Sequence, residues 1–398
     1  MRNIRIIFAL LLVLLTANCC QDRMSVDQPE LSIYVRIPQL VQVKSEIGGV
    51  LAEENSKEAK VSNLNIWVFL SEDIDASRKS GYCLGFLAPN QGNDPVTSFE
   101  NHYYMKFKSG DDSAVYKFIS DNNRAPLVDV YVIANTSSSS INSITLNAST
   151  TRDQLDGYTL KGNYYGITSA GAANHTAVPK NGLPLAAVGK GLQMQGKFPV
   201  MRVETVTMKR LVSKFRFVVC QLADAAGPVV NFTIEELALN SGLIANEEYV
   251  FNNTANSYKI KKTGSDATDY IAYDLQYSTP AAADIARNTD PEHYVYKSGM
   301  TGQEYENLVF DGISKGDLSD LGKCYLRESD KPLSGRIRYT IDGVESTVNF
   351  QMADGDIFSR NHSWIVYIYF LRDEMKFNVI WTPWKAEDGK DSFHLSDN

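Results

Sequence analysis

Cysteine, histidine and long apolar runs are all scarce in this chain of 398 residues, and each scarcity removes a class of function. The five cysteines are Cys19 and Cys20, side by side, and Cys83, Cys220 and Cys324, far apart. An odd, widely spaced set without Cys-x-x-Cys is neither a disulfide framework nor a zinc site. Cys220, inside an apolar run, reads as a small core residue. The five histidines (His102, His175, His293, His362, His394) are scattered and form no His-Glu-x-x-His pair. No Gly-x-Ser-x-Gly elbow is present. GLQMQGKF, Gly191 to Phe198, has the spacing of a phosphate loop up to Lys197. Phe198 then stands where Ser or Thr must hold magnesium, so the match is rejected. The acidic clusters Glu72-Asp73-Ile74-Asp75 and Gly110-Asp111-Asp112 lack the spacing of a calcium loop and read as solvated turns. The formal charge is −8, without the basic footprint that nucleic acid requires. No enzyme, cofactor, metal or nucleic-acid partner is indicated.

What is present begins with Met1 to Cys20, MRNIRIIFALLLVLLTANCC. Arg2 and Arg5 precede an apolar run from Ile6 to Leu15, then Thr16, Ala17 and Asn18, then the two cysteines. A positive end, a short apolar stretch and small residues make an export signal, too short to span a bilayer. The Cys at its end resembles a bacterial lipobox, in which that residue is acylated and becomes the first of the mature chain. Residues 1–18 are assigned as the signal, with Cys19 as the anchor and Cys20 as the alternative. Each acyl chain contributes ~0.8 kcal/mol per buried methylene, so several would hold the protein on a membrane. Loss of the signal leaves about 380 residues, enough for two domains, with a charge near −10.

After a polar tether, 19–30, the stretch LSIYVRIPQ alternates. Leu31, Ile33, Val35 and Ile37 take one face of a half-buried strand, and Pro38 ends it. LNIWVFL, from Leu64, alternates again, and LVDVYVIAN, from Leu127, is nearly continuously apolar, as a strand buried on both faces would be. Phe99 to Phe118 reads as two strands about the Gly110 turn. Thr150 or Thr151 is placed to cap a short helix through Leu155, and Tyr158 to Lys190 reads as loop. In VETVTMKRLVSKFRFVVCQL the apolar phase slips by one residue at Arg210, the signature of a bulge or of a strand changing sheets. The domain junction is placed there, dividing 31–208 from 209–398. Residues 253–330 are polar with few apolar runs. Two hairpins follow, one about Asp342-Gly343 and one about Arg372-Asp373-Glu374. Short strands with almost no helical periodicity predict an all-β chain of two sandwich domains.

These blocks, taken in order, resemble the fimbrillins, the major fimbrial subunit family that builds type V pili in Bacteroidia. The resemblance rests on the lipoprotein signal, LSIYVRIPQ, NLNIWVFLSED, VDVYVIANTS, TTRDQLDGYTL, GLPLAAVGKG, VTMKRLVSKFRFVV, RNHSWIVYIYFL and FNVIWTPWKAEDG. It implies two transthyretin-like β-sandwich domains in tandem, a cell-surface lipoprotein of the outer membrane, and other fimbrial subunits as partners. It also implies that an arginine-specific protease removes the first strand and that a segment of another subunit fills the groove. Leu31, Ile33, Val35 and Ile37 then belong to the strand to be removed, Arg36 and Lys44 mark the protease site, and 386–398 is the donor, with Phe393 and Leu395 two apart on one face. The usual Thr-Arg-Ala-like site is replaced by Val43-Lys44-Ser45, which fits an uncleaved anchor or accessory subunit as well as a stalk. A different class, a monomeric lipoprotein binding a surface glycan or host protein, would use an exposed aromatic patch, with Tyr103-Tyr104 or Tyr294 and Tyr296 as candidates.

Overall fold

The computed structural model describes residues 29–36, 58, 60–61, 63–88, 100–136, 146–161, 178, 182–223, 232–239, 247–251, 275–277, 285–327, 334–351, 360–371 and 374–383. The chain is all-β. A first sheet holds β1 (Glu30–Arg36), β4 (Glu100–Lys106), β8 (Gln195–Lys197), β9 (Val200–Arg202) and β10 (Val206–Thr207). A second runs in the order β11 (Lys209–Arg210), β7 (Leu185–Gln193), β5 (Leu127–Ala134), β2 (Leu64–Leu70) and β3 (Cys83–Leu87). The third contains β12 (Val212–Leu222), β16 (Arg287–Asn288), β17 (Ser319–Arg327), β20 (His362–Leu371) and β21 (Glu374–Pro383). The fourth is β15 (Leu275–Tyr277), β13 (Phe232–Leu239), β18 (Ser334–Ile341) and β19 (Val344–Gln351). A short ladder, β6 (Thr159–Lys161) with β14 (Glu247–Tyr249), joins the two halves of the chain.

The period of two in the sequence decides which face each strand buries. In β2, Leu64, Ile66, Val68 and Leu70 meet Leu31, Ile33 and Val35 of β1 in the core between the first two sheets. The alternate residues Trp67 and Phe69 face away and join Tyr131 and Ile133 of β5 in a second cluster. That cluster also takes in Val212, Val250, Phe251 and Tyr325, so the outer face of the second sheet is covered by the other half of the chain. β5 is therefore buried on both faces, as its apolar run predicts. Between the third and fourth sheets, Phe215, Phe217, Trp364, Val366 and Ile368 pack against Ile234, Ile337 and Phe350. The β18–β19 hairpin turns on Asp342 and Gly343, both at positive φ (49° and 81°), the backbone that a two-residue turn of right-twisted strands demands.

Around the phase slip the chain changes sheets. Lys209 and Arg210 pair with β7, the Leu211 amide donates to the Pro184 carbonyl, and β12 starts at Val212 in the third sheet. A buried ionic cluster sits beside this crossing. Glu58 is 1 % exposed and accepts from the Tyr325 hydroxyl at 2.5 Å and from Lys214 Nζ at 3.2 Å, with Lys323 Nζ at 3.5 Å. Burial pulls Arg210 down to about 10 and also lowers Lys214, while the Glu58 charge opposes both shifts.

Four expectations are corrected. The stretch after Gly110 is not a strand but a helix, α1 (Asp111–Asn122), whose buried Asp111, Val115 and Phe118 recur at helical spacing. Asp111 is not a solvated turn residue: it is 1 % exposed and accepts from Arg78 Nε at 2.7 Å and the Tyr82 hydroxyl at 3.1 Å. Residues 159–161 and 185–190, expected as loop, lie in β6 and β7, whose small residues carry little apolar signal. The polar span 253–330 holds α3 (Gly302–Lys315), started by the reciprocal Thr301–Glu304 cap and ended at Gly316, which takes φ 78°. The short capped helix appears as read, α2 (Arg152–Asp156), with Thr151 as its cap.

The ionic cluster yields a test. Glu58→Ala leaves buried cations with their shared carboxylate gone, and stability should fall by about 3–5 kcal/mol. Urea denaturation measures it, and a change within 0.5 kcal/mol would contradict this account of the junction.

Candidate functional site: the slot of the first strand

β1 occupies the interior of its sheet. On one side it runs antiparallel to β4, with Leu31 opposite Met105, Ile33 opposite Tyr103 and Val35 opposite Asn101. On the other it runs parallel to two short strands in succession, Leu31 beside Met201 of β9 and Val35 beside Val206 of β10. The Val203 amide donates to the Ser32 carbonyl at 3.0 Å, and the Glu30 amide to the Pro199 carbonyl at 2.9 Å. Both edges of this strand are thus spoken for, by segments roughly 70 and 170 residues away in the chain.

The inner face is wholly apolar. Leu31, Ile33 and Val35 each have no exposed surface. At about 1.5–3 kcal/mol for a buried aliphatic side chain, the three together supply roughly 5–9 kcal/mol of the sandwich's stability. Tyr103 packs against the same core, and burial pushes its phenol up to about 12.

The outer face is different. Ser32 is only 5 % exposed, with Tyr104 and Arg202 as its neighbours in register on the two flanking strands. Tyr34 lies flat on His102, ring centres 4.1 Å apart and planes 13° apart. His102 in turn contacts Tyr104, 4.3 Å away, and Tyr104 is 45 % exposed. Three rings from two strands therefore form a ladder on the surface.

The sequence singles out ten residues, and the structure brings Leu31, Ile33 and Val35 together on one buried face. Arg36 closes β1, paired with Glu100 on one side and Thr207 on the other. Cys19, Cys20, Ile37, Lys44, Phe393 and Leu395 lie outside the described residues. Of the aromatic candidates, Tyr294 and Tyr296 are buried against α3 and make no surface patch. Tyr103 points inward and Tyr104 outward, as neighbours on a strand must. The flanking strands and the His102 rung are not foreseeable from alternation, which assigns a face but names no neighbour. A Tyr-rich run with a single His was the only signal.

Truncation separates the two faces. Ile33→Ala should cost about 2–5 kcal/mol, as core aliphatic deletions do. Tyr34→Ala, on the wet face, should cost about 1.5 kcal/mol or less. Equal losses in urea unfolding would mean that the inner face does not hold this strand.

No family model matches the sequence, and no curated protein matches it. In fold the chain is similar to the tip fimbrial protein Mfa3 from Porphyromonas gingivalis with C-terminal truncation, at 13% identity and a TM-score of 0.46, over 90% of this chain and 100% of that one. It is similar to a fimbrial assembly protein from Parabacteroides distasonis at 12% identity and a TM-score of 0.41, over 88% and 95% of the two chains. A fimbrial protein from Bacteroides vulgatus is similar at 9% identity and a TM-score of 0.42, over 89% and 99%.

Proposed function

We propose that this chain is a structural subunit of a cell-surface fimbria, joined to its neighbours by strand exchange at the β1 slot and contributing to adhesion. The observation that carries the reading is the position of β1. It is an interior strand with a fully buried apolar face, yet it comes before the rest of its sheet in sequence and reaches β2 through a single connection. One cut in residues 37–57 would turn it into a separate peptide held only by non-covalent contacts. Its departure would leave unpaired backbone on β4, β9 and β10 and an open apolar floor. A strand from another subunit repairs both at once. The resemblance of the ordered sequence blocks to fimbrillins implies the same arrangement.

In this proposal Cys19, or Cys20, carries the acyl anchor to the outer membrane, and the protease acts at Lys44 or Arg36. Arg36 is the poorer site, because its backbone is paired on both sides in the sheet. Partners are other fimbrial subunits, with a host or bacterial surface ligand for the assembled fibre. The chain takes a structural part and no catalytic one. The pairing of Arg36 also favours a second reading, an accessory subunit that keeps its first strand and anchors the fibre.

The test is to nick the full chain with a site-specific protease sequence placed at residue 44, then to follow its oligomers on an unboiled denaturing gel. The nicked protein should build a ladder and the intact protein should run as a monomer. A nicked protein that stays monomeric after β1 has left would sink the stalk reading and leave the anchor.

A further inference from the structure

The ionic cluster at the sheet crossing has an arrangement that charge neutralisation alone does not call for. Glu58 and Lys214 are both buried, with 0% and 7% of their side chains exposed. Lys214 Nζ stands 3.2 Å from Glu58 Oε2 and 3.5 Å from Oε1. It is nearly as close to one oxygen as to the other, and so faces the carboxyl carbon between them. Oε1 is held from elsewhere: the Tyr325 hydroxyl donates to it at 2.5 Å, and Lys323 Nζ lies 3.5 Å away. An amine in reach of the carbon, with a donor and a cation already on the oxygen that takes up charge, is the layout of an acyl transfer.

Further charged groups close the site. Arg210 of β11 acts on Glu58, while Arg216 of β12 and Lys214 act on Glu306 of α3, which accepts from Ser363 of β20. Burial lowers Lys214 and raises Glu306, in each case toward the neutral form. The neutral amine is the nucleophilic form of lysine, and a neutral carboxylic acid beside it can pass protons.

We infer that Lys214 and Glu58 condense to an amide, a covalent cross-link between the β1–β2 connection and β12, with the Tyr325 hydroxyl as the oxyanion donor. The Nζ lone pair forms a bond to Glu58 Cδ, and the charge that develops on Oε1 falls on the Tyr325 hydroxyl and Lys323. The Cδ–Oε2 bond then breaks. Two of the three ammonium protons end on Oε2, which departs as water, and one stays on the amide nitrogen. No oxidant, reductant or co-reactant enters. The driving force is the exchange of two buried charges, costly to keep from water, for one neutral amide. The ion pair is thus the reactant, and the reaction runs once per chain, without turnover. The link joins residues 156 positions apart and ties the two halves of the chain by a bond that survives denaturation. It goes beyond strand exchange and does not depend on it, since both residues lie after any cut at Lys44.

Mass spectrometry of the full chain tests it, with Lys214→Arg made in parallel so that N-terminal processing is common to both. The unsubstituted chain should be lighter by one water than its residues require, and digestion should release a branched peptide joining Glu58 to Lys214. Lys214→Arg and Glu58→Ala should show the full mass and no branch. Glu58→Gln should lose ammonia in place of water and reach the same final mass as the unsubstituted chain, a signature no salt bridge can give. Tyr325→Phe, shown to be folded by its melt, should link about 100-fold more slowly, the worth of one oxyanion donor. A full-mass unsubstituted chain would overturn the inference, whatever the variants do. A branch through Lys323 would overturn the assignment to Lys214, and undiminished linking in Tyr325→Phe would overturn the role given to the hydroxyl.

Discussion

The first half of this protein depends on three aliphatic side chains from one short strand. Leu31, Ile33 and Val35 supply the middle of the core between the first and second sheets, opposite Leu64, Ile66 and Val68. Backbone pairing makes the dependence sharper. β4 comes before the helix α1, whereas β9 and β10 arrive roughly 100 residues later, and β1 is what joins them into a single sheet. Apolar burial and hydrogen-bond pairing thus fail together when this strand leaves. A sandwich built so can be filled by any strand of the right pattern, which is the physical content of the proposal for assembly.

The second half is held differently. Its central strand β12 lies between β17 and β20, and its two faces go to separate clusters, Phe215 and Phe217 to the core with the fourth sheet and Val218 and Cys220 to the layer beneath α3. The two halves meet over aromatic and aliphatic groups around Trp67, Tyr131, Phe251 and Tyr325, with Glu58 buried among Lys214, Lys323 and the Tyr325 hydroxyl. Glu58 belongs to the stretch between β1 and β2, downstream of any cut at Lys44. Buried charge pairs tolerate few alternative geometries, because an unmatched ion is far costlier than a mispaired aliphatic group. The junction is therefore a rigid part of the structure beside the β1 slot.

Much of the fold was legible in the sequence where side-chain period is strong. The alternation of β1, the double-sided burial of β5, the Thr151 cap and the Asp342-Gly343 turn all follow from local rules about faces, caps and positive φ. The misreadings have a common cause. In α1 and α3 the apolar residues are interleaved with charged and polar ones, so the local sequence reads as a turn or a loop unless the periods of three and four are followed. Asp111 looked solvated because nothing in its neighbours in sequence shows that Arg78 and Tyr82, about 30 residues upstream, close over it.

For the candidate site the division is the same. Sequence by itself determined that Leu31, Ile33 and Val35 share a face and that this face must be buried, since period two and hydrophobicity are properties of the strand alone. It determined as well that Phe393 and Leu395 stand two apart, the spacing of one strand face. Only the tertiary structure decided that β1 lies inside its sheet and not at an edge, that Ser32 is hemmed in, and that His102 lies under Tyr34. Those are facts about neighbours contributed by β4, β9 and β10. The choice of neighbours is made by long-range pairing, in which many registers satisfy the same local pattern and the packing of the whole core selects one.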